Sequence, residues 1–515
     1  MDRRHFLFAG ASVLSTACAP EFARPALALG PAGSPPLPAP NVNVTARSLD
    51  QLYAILADFA KDFRGARKRY GVPGDEPVIG LDVTTREPLR LANYRLPERI
   101  TIRGVGKLGR NDFFPTSTTQ VGDWTLQNAR NIRIMAIQFN AQGNAGVGNF
   151  VNAEDCVIAR NVCNLKAATS RAGLGRANAV RNGIYFFNAK RCVFTDNAVV
   201  GGNFQLINGT QKQTPRSSTH DLTIAWNVFD QVRGDHIRLQ GGTNDGWHIH
   251  KNLFGGRYRD PGGDHSDCLQ VGAGQQTGFF NGLMEFNCCF VRESYGADNH
   301  APVQMFWFGR GSGASDGHTF RQNGHFAPGR LLNNSIPKKD VTLARSSAVF
   351  NTDMAPSDIP RSYSKGYYNA NFACYVYSGH TDYNLVTRKS RNDDRGAGPN
   401  GVNIECPASD DSDTAPPRAW LPQTAYLSRE LRRSETIGCL RPPSPRVRSH
   451  WANPRPVGAW QLMRDMFDES RPNHWKNRGW PVDAMCHIAY DPRNELAGSA
   501  GRYAVYDAVS GVNLG

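Results

Sequence analysis

A motif repeated five times governs what this chain can fold into: an apolar residue, two variable residues, then asparagine. It spans Ile158–Asn161, Phe194–Asn197, Ile224–Asn227, Ile249–Asn252 and Met284–Asn287, each set among further apolar residues. Successive asparagines stand 36, 30, 25 and 35 residues apart. Alike units at unequal spacing suit the coils of a solenoid whose loops differ in length. Asparagine tolerates left-handed backbone, and its amide can bond to the equivalent amide one coil away, so a ladder of turns is predicted.

A second strand recurs upstream of several of these turns, at Asn182–Phe186, Asp235–Leu239, Asp267–Val271 and Ala301–Met305. Strand alternation sends Ile184, Ile237, Leu269 and Val303 inward and Tyr185, Arg238, Gln270 and Gln304 outward. Asn-Gly pairs between matched strands are few, which disfavours hairpin-built folds. Ahead of the repeats, Ser48 and Gln51 form a capping box. Leu49, Leu52, Tyr53, Leu56, Phe59 and Phe63 then follow at helical spacing.

On these repeats the chain resembles the right-handed parallel β-helix proteins of the pectate lyase-like superfamily, which includes polysaccharide lyases, hydrolases and epimerases. The resemblance implies an all-β solenoid over residues 76–388, its open end blocked by the helical segment 46–75. Beyond it, residues 389–515 read as a Pro/Arg-rich, irregular extension, broken by Pro416-Pro417 and Pro442-Pro443. A fold of this kind hosts many reactions and selects none by itself.

The N-terminus points to a compartment. Arg3-Arg4 precede an uncharged stretch from Phe6 to Pro20 and the small-residue site Ala26-Leu27-Ala28, an order that resembles a twin-arginine signal peptide over residues 1–28. Residues 29–45 then read as a Pro/Gly/Ala linker. An exported bacterial protein, periplasmic or secreted, is expected. The variant is lipid attachment at Cys18, where Ser15 stands in place of the usual aliphatic residue. No run reaches the roughly 18 apolar residues of a membrane span.

Net charge is +14, and loss of residues 1–28 lowers it by one unit, so the basicity belongs to the mature chain. A polyanion is the expected partner. Basic residues are scattered outside any nucleic-acid-binding module, and export favours an acidic polysaccharide over nucleic acid. Of the eleven cysteines, Cys156, Cys192 and Cys268 sit in apolar strand patterns as small core residues, while Cys406 and Cys439 are the favoured disulfide pair.

The chemistry-bearing residues gather on the second strand. Asp235 and Asp267 fall in one column, about 4.8 Å apart if their coils are neighbours. Water-exposed carboxylates at that spacing suit Ca2+ or a retaining glycosidase pair, and both can equally cap strand entries through turn amides. His236, Arg238, His265 and Gln270 surround them, with Tyr185 and Gln304 extending the stripe and His248, His250 and Lys251 on the following strand.

Cleavage of a uronate polymer by β-elimination needs a carboxylate neutralised, the C-5 proton removed and the leaving oxygen protonated. The resemblance implies Arg238 as base, with His265 and His236 moving protons. Tyr185, Gln270, Gln304 and Lys251 are then expected to bind substrate, and Asp235 and Asp267 to hold the metal. The string Tyr295–His300 resembles the Tyr-Gly-x-Asp-Pro-His of alginate C-5 epimerases, with Asn299 replacing the proline. A lyase is the leading expectation. A glycoside hydrolase, an epimerase and a non-catalytic glycan binder are the alternatives.

Overall fold

The computed structural model describes residues 41–334 apart from a set of loops, the larger being 166–182, 209–217, 259–266 and 291–298. Beyond residue 334 it describes the short strands 347–349, 352–353, 380–382, 385–386, 404–405, 486–490 and 503–507. The leader, Cys406 and Cys439 lie outside the described residues.

Three long parallel sheets, of twelve, eleven and nine strands, make up the body of the molecule. Each coil contributes a strand to each sheet in turn, so the pairing partner of any strand is its equivalent one coil away. This is a parallel β-helix, as the repeats predict. The expected linker is not all linker, because Val44–Ala46 already pairs with Val78–Leu81 as the first strand of the twelve-stranded sheet. At the other end, Leu385–Val386 pairs in parallel with Ile404–Glu405, carrying the ladder past the expected boundary at 388. Cys486–Tyr490 and Tyr503–Asp507 form an antiparallel pair.

The core is built by rows of inward residues. Ile79, Ile102, Ile134, Ile158, Phe194, Ile224, Ile249, Met284 and Phe320 stack along the twelve-stranded sheet and are fully buried. Aromatic rings add parallel stacks inside it, Phe150 on Phe186 at 4.8 Å and Phe229 on Phe254 at 5.3 Å. Cys156, Cys192 and Cys268 are fully buried, the small core residues predicted.

The asparagine ladder shows why the motif has its spacing. In Asn161, Asn197, Asn227, Asn252 and Asn287 the backbone N–H donates to the side-chain oxygen of the next asparagine, at 2.9–3.2 Å. Each Nδ2 also donates to a carbonyl one coil back. For Asn197, Asn227, Asn252 and Asn287 these are the carbonyls of Ile158, Phe194, Ile224 and Ile249, the motif's own apolar positions. Asn323 adds a further rung, donating to the carbonyl of Met284.

One expectation is corrected. Left-handed backbone at this turn belongs to the residue before each asparagine: Arg160, Asp196, Trp226, Lys251 and Phe286 all have φ of 54–56°. Large side chains rarely adopt that conformation, and the satisfied ladder beside them holds it in place. At a second turn asparagine does take it. Asn93, Asn128, Asn152 and Asn188 have φ of 49–65° and pass amide bonds of 2.9–3.0 Å between coils along the surface.

The helical segment is two helices. Helix α1 (Leu49–Lys61) starts where the Ser48 hydroxyl accepts from Gln51 N at 3.1 Å, while Gln51 Oε1 accepts from Arg47 N at 2.8 Å, one residue before the expected partner. Asp62 ends it and caps α2 (Phe63–Arg69) through Gly65 N. The buried face of α1, Leu49, Leu52, Ile55, Leu56 and Phe59, joins the core at the first coils. Among the described residues no helix is long and apolar enough to cross a membrane.

Candidate functional site on the nine-stranded sheet

The nine-stranded sheet carries the predicted stripe. Arg90, Thr125, Asn149, Tyr185, Ile207, Arg238, Gln270 and Trp307 occupy one register position on successive strands, facing away from the core row beside them. Tyr185, Arg238 and Gln270 are therefore brought into one row. Between Tyr185 and Arg238 lies a strand absent from the expected set, Leu206–Asn208, whose Ile207 is buried.

Gln304 is not in this row. It pairs in register with Asp267, three positions from the expected alignment, and Trp307 takes its place. Phe306 and Phe308 are the cause. Both are fully buried, Phe306 stacking in register on Leu269, and alternation then turns Trp307 outward. Val303, expected inward, lies outside the described residues.

Arg238 is held in place by its own strand and turn. Its Nε lies 3.8 Å from Asp235 Oδ2, and with the Gln240 amide turned so that its oxygen faces the guanidinium, that oxygen accepts from Nε at 2.5 Å and Nη2 at 3.2 Å. Gln240 shares the outward face because it is two residues along the chain. The guanidinium is thus fixed as a set of donors at the middle of the row. Tyr185 and Trp307, both half-buried, stand two strand spacings away on either side, about 10 Å each way.

The two aspartates share a column, and their surroundings differ from the expectation. Both are buried, at 2% and 0% exposure for Asp235 and Asp267. Asp235 Oδ1 accepts from Asp267 N at 2.9 Å, and His236 N donates to Asp267 O at 3.0 Å. Asp235 caps the strand entry of the next coil with one oxygen and orients Arg238 with the other. The expected pair of water-exposed carboxylates is not what these residues form. Among the described residues no group of three or more His, Cys, Asp or Glu could hold a metal ion.

His236 is also corrected. The ring is fully buried inside the coil, 5.3 Å from the Phe254 ring and 6.3 Å from the Phe229 ring. It directly precedes the strand Ile237–Leu239, at a corner where Cys268 and Met305 of the following coils also point into the core. It is a core histidine.

Lys251 sits on a different corner, between the twelve- and eleven-stranded sheets, with left-handed backbone. Its ammonium lies 5.0 Å over the Trp226 ring and 5.7 Å from that of Phe286, its neighbours in the column of turn residues. That cation is engaged within the turn and does not reach the stripe. His265 and Tyr295–Asp298 lie outside the described residues. Asn299–His300 form a short antiparallel pair with Arg257–Tyr258.

A second polar group lies on the outward face of the twelve-stranded sheet. His248 Nε2 meets Glu285 Oε1 at 2.8 Å, Arg321 Nε donates to Glu285 Oε2 at 2.6 Å, and the His248 and His250 rings stack at 3.9 Å. Burial alone would raise the Glu285 carboxyl. The His248 hydrogen bond and the charges of Arg321 and His248 outweigh it and bring the group down to about 2. Sequence reading missed Glu285 and Arg321. The signal was available, since each directly follows the apolar residue that opens a motif, Met284 and Phe320.

No family model matches the chain, and no curated protein matches it by sequence. Solved structures do resemble it. PfbA, a surface adhesin of Streptococcus pneumoniae, is 11% identical, with 57% of this chain and 82% of that one covered and a TM-score of 0.35. DFA-IIIase from Arthrobacter chlorophenolicus A6 is 11% identical over 72% of this chain and 97% of that one, TM-score 0.32. A hyperthermoactive exopolygalacturonase from Thermotoga maritima is 9% identical over 69% and 89%, TM-score 0.29. The molecule is a parallel β-helix protein with distant structural resemblance to an adhesin and to carbohydrate-active enzymes.

Proposed function

We propose that this chain is an exported protein that binds an acidic, uronate-containing polysaccharide along the nine-stranded sheet and cleaves it by β-elimination. The observation that carries the reading is Arg238, its guanidinium held by Asp235 and Gln240 midway between Tyr185 and Trp307. A guanidinium pairs with a carboxylate through parallel N–H donors. Aromatic faces present apolar surface to sugar rings, with a polar edge alongside. The row from Tyr185 to Trp307 spans four strand spacings, about 19 Å, so the polymer lies parallel to the solenoid axis.

In this reading Arg238 neutralises the uronate carboxylate and stabilises the negative charge that develops when the C-5 proton leaves. Its carboxylate and amide partners suit it to donate, so the proton-accepting role passes to another residue. His265, two residues before Asp267, is the proposed proton carrier on the sequence argument. Gln270, next to Arg238 in the row, binds the sugar.

The test is ultraviolet absorbance of the purified protein with a panel of polyuronates and sulfated glycans, with calcium or with chelator. Growth of an unsaturated-uronate signal establishes elimination. Arg238→Ala should abolish it and weaken polymer binding at least tenfold, and Asp235→Asn should weaken binding less. Binding that depends on Arg238 without any product identifies a glycan-binding protein. Binding unchanged in Arg238→Ala refutes the site.

A further inference from the structure

Away from the stripe, the first coils of the twelve-stranded sheet gather two arginines around one described carboxylate. Thr101 and Arg133 occupy one outward register position on neighbouring strands, and Arg99 lies two residues before Thr101 on the same face, between the buried Ile100 and the strand's start. The carboxylate among them is Glu76. Its Oε1 accepts from the Thr101 hydroxyl and lies 3.3 Å from Arg133 Nη1. The Arg133 side chain is only 14% exposed.

Arg99 is not served by that carboxylate. Its Nε–H is buried and has no hydrogen-bond partner among the described residues. Glu76 therefore serves one of the two guanidinium groups, and the Arg99 Nε–H meets no acceptor among the described residues. A buried donor with no acceptor is rare, because it forfeits its water without replacement. Burial pushes the Arg133 guanidinium down from its usual range, Glu76 pushes it up, and the neighbouring Arg99 pushes it down again. An added anion would relieve both the missing acceptor and the like-charge contact.

We propose that Arg99 and Arg133, arranged around Glu76 and Thr101, form an oxyanion-binding site for a carboxylate or sulfate group. It lies on a different sheet from the stripe and stands whether or not the stripe binds polymer. Glu76 orients Arg133 and leaves Arg99 to be completed by the ligand. The same Glu76 limits the site to one anionic group, since a second would meet an uncompensated carboxylate.

The experiment titrates the full chain with sodium sulfate and, separately, with an oligouronate. Calorimetry and the thermal midpoint are followed at ionic strength matched with sodium chloride. Millimolar concentrations keep sulfate below the range where it stabilises proteins by exclusion from their surface. Saturable sulfate binding by the parent protein is expected, weakened at least tenfold in Arg99→Ala and Arg99→Gln. Arg99-dependent binding of sulfate alone assigns the group to a sulfate source, and Arg99-dependent binding of both assigns it to either polymer. Arg99→Gln, which keeps length and polarity, guards against loss of folding in the alanine variant. Equal responses to sulfate and chloride in the parent, or parent-like sulfate binding by both Arg99 variants, overturn the site.

Discussion

Replacing Asn227 by alanine tests the ladder at its centre. The Asn227 side chain is fully buried, and it serves both neighbouring coils. Its Oδ1 accepts from Asn197 N at 2.9 Å and from Asn197 Nδ2 at 3.1 Å. Its Nδ2 donates to Phe194 O at 2.9 Å and to Asn252 Oδ1 at 3.1 Å. After truncation Asn197 Nδ2 keeps the carbonyl of Ile158, and Asn252 Oδ1 keeps the backbone N–H of residue 227. Two buried groups lose the partners named here, the N–H of Asn197 and the carbonyl of Phe194. At about 1–3 kcal/mol for each orphaned group, the change should cost about 4 kcal/mol.

Because each coil touches only its neighbours, that loss should be local. The assay is hydrogen exchange in the native state, which reads opening free energy amide by amide. Amides of residues 193–199 and 223–229 should exchange faster by the factor that 4 kcal/mol implies, roughly a thousandfold, while those of residues 78–81 hardly change. A loss below 1 kcal/mol, or one spread evenly to residues 78–81, would refute the account of the ladder as a chain of buried, obligatory bonds.

Acid should act through Glu285. The folded carboxyl sits near 2 against an ordinary value of 4.5, so its contribution is complete above pH 4.5 and is lost as pH falls towards 2. The shift corresponds to about 3 kcal/mol, and a stability–pH curve of Glu285→Gln should lack that acid limb. Gly148→Ala should destabilise by about 1–3 kcal/mol, seen as a lower thermal midpoint, because a methyl there would lie 2.2 Å from the Trp124 ring. An unchanged midpoint would mean that Trp124, fully buried, can move aside.

The Asn motif is legible in sequence because its physics is local. Four residues carry the acceptor carbonyl, the left-handed turn and the amide that reaches the next coil, so copies at 36, 30, 25 and 35 residues still announce one fold. Inward rows such as Ile158, Phe194 and Ile224 follow from alternation once the motif sets the frame. The same frame placed Tyr185, Arg238 and Gln270 in one row. What it lacked was the strand Leu206–Asn208 between Asn197 and Asn227 and the count of residues leading into Gln304–Phe308.

Those gaps matter because strands of three to five residues leave little pattern to align, and a shifted register changes every neighbour. Only packing decided that Phe306 and Phe308 fill the core and send Trp307 out, or that His236 sits at an inward corner just before its strand. Only packing enclosed Asp235 and Asp267, turning an exposed pair of carboxylates into a strand cap and an arginine holder. Residue type names the chemistry a side chain can do. Whether water, a neighbour or a ligand meets it depends on the coils stacked above and below, which lie some 30 residues away in the chain.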